Sequence, residues 1–193
     1  MIIVGLDVSM SESGIAIYDT IKDEFLEVLS IPTNKVYTKH KKEHKWETEF
    51  HGFRLKHIYD KLIEIKEKYN IDYIISERGF SRFNKATQVV YKVHGVASLA
   101  FYDIPSIYYP TKTIKETVTS SGTATKFAVK EFIVNRYPHL KNEIDNDNKS
   151  DACACVLTYI IKNNKNYNYI DYDIVLEKII KEEEKMKYER AKK

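Results

Sequence analysis

Four acids and a group of lysines carry the chemistry that this 193-residue sequence offers. Asp7 ends the apolar run Ile2-Ile3-Val4-Gly5-Leu6, and Glu77 ends a second such run that begins at Ile71. Asp147 and Asp151 stand in the polar stretch 143–151, which leads into the apolar segment 152–161. Residues four apart, such as Asp147 and Asp151, share one helix face, and so do Asn148 and Asp151, three apart. A carboxylate in an apolar strand is costly unless something pairs with it. Asp7 therefore either bonds turn amides or holds a metal ion, and its own surroundings leave both open. The acids at 147 and 151 have an equally plain alternative as helix N-caps. Lys112, Lys115 and Lys126 surround a turn at Gly122, rich in Ser and Thr. Lysines and hydroxyls beside a helix N-terminus make a phosphate site.

The elements that must position these groups follow from apolar spacing. Residues 2–6 and 14–18 are short, β-rich runs joined by the polar link Ser9–Ser13, which predicts a hairpin. Residues 25–31 add a third strand and complete an antiparallel meander. From Trp46 to Tyr69 apolar residues recur at three- and four-residue steps, the mark of an amphipathic helix. A fourth strand, 71–77, a helix over 84–102 and a fifth strand, 105–109, continue the alternation that builds parallel sheets. In such sheets ligands gather beyond the carboxyl ends of the strands. Asp7 and Glu77 both fall there, which favours the metal reading. A short helix is expected near 113–117, a helix from Lys126 to Tyr137 capped by Thr123 or Thr125, and a last helix over 152–161. Gly95, inside a helix at a cost of roughly 1 kcal/mol relative to Ala, points to close helix packing.

Composition bounds the class. Hydrophobic residues make up 43% and charged residues 31%, which indicates a soluble globular chain of one domain over 1–165 with a charged helical tail over 166–193. No apolar run reaches the roughly 18 residues that span a membrane, and the opening lacks a signal-peptide pattern. Cys153 and Cys155 have no second pair to form a zinc site. They read as small core residues in a reducing compartment, which suggests the cytoplasm. The net charge of +3 is too small to imply nucleic acid by itself. Its distribution says more: residues 35–45 hold five lysines and two histidines against one glutamate. This segment is either a solvated loop or a phosphate-contacting arm. The tail is a solvated face or a partner-binding helix.

An Asp on the first strand, a Glu closing the fourth and an acidic helix start form a ribonuclease H-like arrangement. Over roughly residues 1–162 the chain resembles the RuvC family of Holliday junction resolvases. The stretches that carry the resemblance are GLDVSMSESGIAI in the first hairpin, SERGF at 76–80, KVHGVASLAF at 92–101, PTKTIKETVTSSGTATKFAV at 110–129 and SDACACVL at 150–157. Each is weak alone, and five in order are strong. The resemblance implies an α/β fold: a mixed five-stranded sheet, three strands antiparallel and the rest parallel, flanked by helices. It further implies a homodimer that cuts four-way DNA junctions by symmetric phosphodiester hydrolysis; the helix over 84–102, apolar enough for a core helix or a dimer face, is the candidate interface. Two Mg²⁺ ions about 4 Å apart serve such chemistry, with Mn²⁺ as the alternative. Asp7 would bridge them, flanked by Glu77 and Asp151.

Lys126 would then stabilise charge on the scissile phosphate and Lys115 would position the strand. Phe80 would stack on junction bases, and Arg78, Arg82, Lys85, Lys112, Lys41 and Lys42 would line the DNA path. One departure matters. The family places an acid or a histidine three residues before the last Asp, where this chain has Asn148. Asp147 is then the expected fourth ligand. Asn148 also supports a different class of reading, a junction- or RNA-binding protein with a decayed site. A flap nuclease of the same fold is a further alternative. The long basic segment and tail would suit a phage member.

Overall fold

The computed structural model describes residues 1–36, 47–78 and 84–163, with separate helical positions between 177 and 189. Lys41, Lys42, Phe80 and Arg82, most of the basic segment and most of the tail lie outside the described residues. Lys85 lies in a described helix, but its side chain does not belong to the described set.

β1 (Ile2–Asp7), β2 (Glu12–Asp19) and β3 (Glu24–Pro32) form the expected antiparallel meander. β4 (Ile71–Glu77) runs parallel to β1, and β5 (Ser106–Tyr109) runs parallel to β4. The sheet order is β3-β2-β1-β4-β5. Side chains alternate across a sheet, so each strand serves two cores. Val4, Leu6, Ile15, Ile17 and Ile74 face one layer. There α1 (Glu47–Lys68) contributes Ile58, Leu62 and Ile65, and α2 (Asn84–Ala100) contributes Val93, Ala97 and Ala100. Ile3, Ala16, Tyr18 and Ile75 face the other layer, built from α3 (Thr111–Thr119), α4 (Lys126–Arg136) and α5 (Asp147–Asn163).

α5 lies between the sheet and the pair α3 and α4. Its residues Ala152 to Leu157 are completely buried, which explains a run of small apolar side chains without a polar face. Two glycines let it settle on the strands. A Cβ on Gly5 would stand 2.1 Å from the Ala152 carbonyl oxygen, and one on Gly14 would stand 1.9 Å from that of Asn148. Cys153 and Cys155 are buried free thiols in this helix.

Three local readings change. α3 extends to Thr111–Thr119 because Pro110 precedes it with φ −62° and ψ 145°, a backbone already set for helix entry. α5 begins at Asp147, ahead of its apolar segment, because Asn146 Oδ1 accepts the Lys149 amide at 3.0 Å and caps the helix. Gly95 marks no close packing among the described residues: a Cβ there would meet none of them within 4 Å. It lies on the outer face of α2, beside the exposed Tyr91 and Leu99. Among the described residues, no helix is long and apolar enough to cross a membrane.

Thr125 caps α4, its hydroxyl accepting the Ala128 amide at 3.2 Å. Thr125→Ala is expected to cost about 1 kcal/mol of stability, read as a fall in the denaturant midpoint at unchanged slope.

Candidate active site

The register of β1 and β4 brings two acids to one place. Leu6 pairs with Ser76, and the Ser76 hydroxyl donates to the Leu6 carbonyl at 3.1 Å. The residues that follow, Asp7 and Glu77, therefore leave adjacent parallel strands at the same carboxyl edge. Alternation turns both toward α5, the layer that Ile3 and Ile75 face. Asp7 also pairs with Gly14 on β2, the glycine against which the first turn of α5 rests. That contact brings the acids of α5 to the strand ends.

Asp151 is one turn inside α5 and mostly buried, while Asp147 is its first residue and exposed. Lys126, the first residue of α4, reaches both. Its Nζ lies 3.3 Å from Asp147 Oδ2 and 3.7 Å from Asp151 Oδ2. Burial and then the charges of Asp151 and Glu77 push the Asp7 carboxyl up to about 7, against a smaller opposing pull from Lys126. Burial likewise raises Asp151 to about 6, Lys126 pulling it down and Glu77 and Asp147 pushing it up. Burial disfavours the Lys126 ammonium, yet Asp151, Asp147 and Asp7 together hold its pKa above the ordinary lysine value. Burial is the larger cause of both raised carboxyl values, and like charges gathered at one edge add to it.

The structure thus brings together Asp7, Glu77, Asp147, Asp151 and Lys126. Lys115 is near enough that its charge lowers the Asp151 pKa, but its ammonium donates to the Ala124 carbonyl at 2.7 Å. In this arrangement it ties down the loop that leads into Lys126. The Lys112 side chain lies across Gly122, where a Cβ would meet its Cγ at 2.6 Å. Arg78 follows β4 with an exposed side chain, its amide donating to the Tyr109 carbonyl at 2.8 Å.

Sequence reasoning missed three participants. Thr111 donates its hydroxyl to Glu77 Oε1. Its position just past β5 was the available signal, since β5 neighbours β4. Gly5 and Gly14 seat α5, and nothing in a single sequence marks a glycine as facing a distant helix.

All-oxygen donors suit Mg²⁺ or Mn²⁺. The raised pKa of Asp7 is what an added cation would relieve, so the residues fit a divalent ion in donor type and in charge. As placed, they are engaged with Thr111 and Lys126, and among the described residues no three acidic, His or Cys side chains close around a common centre. The acids lie at the carboxyl ends of β1 and β4 and at the start of α5. A cavity of about 220 Å³ between β3 and α1, lined by Leu29, Ile31, His57 and Lys61, includes none of them.

The family model described as crossover junction endodeoxyribonuclease RuvC matches residues 3–159, a range that holds all five of these groups. The chain belongs to the RuvC family. A RuvC from Ehrlichia ruminantium strain Welgevonden is 28% identical over 166 residues, covering 83% of this chain and 96% of that protein. The RuvC of strain Gardel is 28% identical over 138 residues, with 70% and 82% covered. The solved structure of T. thermophilus RuvC in complex with Holliday junction substrate matches with a TM-score of 0.67 at 18% identity, covering 84% of this chain and 94% of that one. A second Thermus thermophilus RuvC structure gives 0.64 at the same identity. These likenesses establish the mixed, helix-flanked sheet as the RuvC, ribonuclease H-like fold.

Proposed function

We propose that the protein is a divalent-metal-dependent endonuclease that resolves four-way DNA junctions as a homodimer in the cytoplasm of a bacterium or of a phage-infected cell. The observation that carries this reading is the meeting of Asp7, Glu77 and Asp151 at one sheet edge with Lys126 beside them, in a chain of the RuvC family.

Asp7, Glu77 and Asp151 would hold the metal, with Asp147 as the fourth acid. When bound, a divalent cation supplies positive charge for the phosphate and makes water a nucleophile near neutral pH. The chain's own groups do the rest. Thr111 holds one oxygen of Glu77 and so fixes how that carboxylate faces the edge. Lys126 offsets part of the carboxylates' charge in the free protein. With a phosphate present, it provides a cation beside the oxygens where negative charge develops. Lys115 keeps Lys126 in place through the Ala124 carbonyl. Lys112 and Arg78 flank the edge, and Lys85, Arg82, Lys41 and Lys42 extend the basic path, with Phe80 stacking on bases. Neutralising about six phosphates would make junction affinity fall steeply with salt.

Two symmetric cuts need two sites, which a two-fold dimer supplies. The outer face of α2 is the interface proposed here. Tyr91 and Leu99 are 57% and 61% exposed, and Gly95 between them leaves room for close approach. The domain over 1–165 would carry all of this, with the tail from 166 as an appended helix.

The discriminating experiment offers four-way junction, flap and linear duplex in competition, with Mg²⁺ or with EDTA. Preferential, metal-dependent cutting of the junction is expected. Equal cutting of the flap would keep the chemistry and discard the resolvase reading. Tight junction binding with no metal-dependent cutting would replace the enzyme by a binding protein.

Lys126→Met tests the lysine. It is expected to slow cleavage by roughly 10²–10³-fold. Lys126 lowers the pKa of both Asp7 and Asp151, so the acidic limb of the pH–rate profile should also move to higher pH. A slower rate with an unmoved limb would mean that Lys126 acts on the DNA alone.

A further inference from the structure

The acids of α5 are only as well placed as the start of that helix, and one carboxylate outside the site holds that start. Glu12 opens β2. Its Oε1 accepts the Ser30 hydroxyl at 2.7 Å and the Asn146 side-chain amide at 3.0 Å. The other end of the same Asn146 amide accepts the Lys149 backbone N–H at 3.0 Å. Asn146 therefore uses both ends of its amide: one caps α5, and the other anchors the cap to the sheet. Asp147 follows immediately, and Asp151 lies one turn on. The bare Cα of Gly14, two residues after Glu12, meets the Asn148 carbonyl. Steric contact at Gly14 sets how far the helix stands from the sheet. A helix on such a seam could still slide or turn, and the Glu12–Asn146–Lys149 chain is the directional bond that resists this.

We infer that Glu12, acting through Asn146, is a positioning residue that fixes the first turn of α5 and thereby the stance of Asp147 and Asp151 relative to Asp7. For its effect on rate the inference rests on the nuclease reading; for its effect on the helix it does not.

Asn146→Asp separates positioning from simple capping. An aspartate still accepts the Lys149 amide, and its charge favours a helix N-terminus. It also sets a carboxylate against that of Glu12 where a donor had been. Adding Glu12→Gln restores a donor on the other side, so the double variant carries the bond with its polarity reversed. Two readouts are taken on the full-length protein: the single-turnover rate of junction cleavage at saturating protein, and amide hydrogen exchange at Asp151 and Ala152, whose N–H groups close the first turns of α5. N146D is expected to slow cleavage about 10-fold and to speed exchange at these amides by a similar factor, with junction Kd changed by less than about twofold. E12Q/N146D is expected to return both towards wild type.

Wild-type values of either readout in N146D, or a double variant as impaired as the single one, would overturn the inference. A wild-type protein that cuts no junction would refute the nuclease reading instead, and the exchange pattern alone would then decide whether Glu12 positions the helix.

Discussion

Asp7→Asn is expected to make the metal-free protein more stable at pH 8 while reducing cleavage by roughly 10³-fold. The two effects share one cause. Burial and the neighbouring Asp151 and Glu77 raise the Asp7 carboxyl from 3.8 to about 7. Between those values the folded chain binds more protons than the unfolded chain. Stability linked to Asp7 is therefore complete below about pH 4 and is lost as pH rises through 7. At about 1.4 kcal/mol per unit, and allowing for the coupling with Asp151, the ionised group costs the folded state about 2–4 kcal/mol at pH 8. An amide carries no charge and escapes that cost. In a chain of this size the gain corresponds to a Tm rise of about 5–10 °C. It should vanish near pH 4, where both forms are neutral. Divalent metal should raise the wild-type Tm at pH 8 and leave that of the variant nearly unchanged. Thermal melts across pH, with and without Mg²⁺, check all three statements. A variant less stable than wild type at pH 8 would show that Asp7 is a structural hydrogen-bonding group, the other role that its strand position allowed.

Gly14→Ala is expected to lower stability by about 3 kcal/mol or more and to cost most of the activity. The added methyl would stand 1.9 Å from a backbone oxygen of α5, and backbone cannot move aside as a flexible side chain can. Either the helix lifts, carrying Asp151 away from Asp7, or β2 distorts beside Asp7, its register partner. Gly52→Ala is the matched control. It lies within α1 with none of the described residues within 4 Å of its Cβ position, and it should gain about 0.5–1 kcal/mol from helix propensity. Denaturant titration of both variants separates steric exclusion from backbone entropy, because the two changes add the same methyl with opposite expected signs.

Much of the site was legible because its acids sit where local patterns are strong. Asp7 and Glu77 each close an apolar run, and a strand–helix–strand alternation makes such runs parallel neighbours, so their proximity followed from topology. The resemblance to the RuvC family, carried by five short stretches, supplied the roles expected of Lys115, Lys126 and Phe80. What stayed hidden depends on contacts between residues far apart in sequence. Gly5 and Gly14 read as ordinary strand glycines, and only the arrival of α5 gives them a purpose. Asn146 looked like one more polar residue in a polar stretch, until its amide was seen bonded to both Glu12 and Lys149. Lys115 was expected on the DNA strand, and its bond to the Ala124 carbonyl gives it a place in the protein's own scaffold. Gly95 was read for close helix packing, and among the described residues the space beside it is open.

The central claim is that the acids at this edge cut a branched DNA twice and symmetrically. The measurement that tests it most directly maps the nicks on an end-labelled four-way junction at nucleotide resolution, with Mg²⁺ or EDTA, for the wild-type protein and Asp7→Asn. Paired nicks at symmetry-related positions in two opposite strands, absent with EDTA and absent in the variant, are the predicted result. Nicks that persist in Asp7→Asn or without metal, or nicks in one strand only, would contradict it.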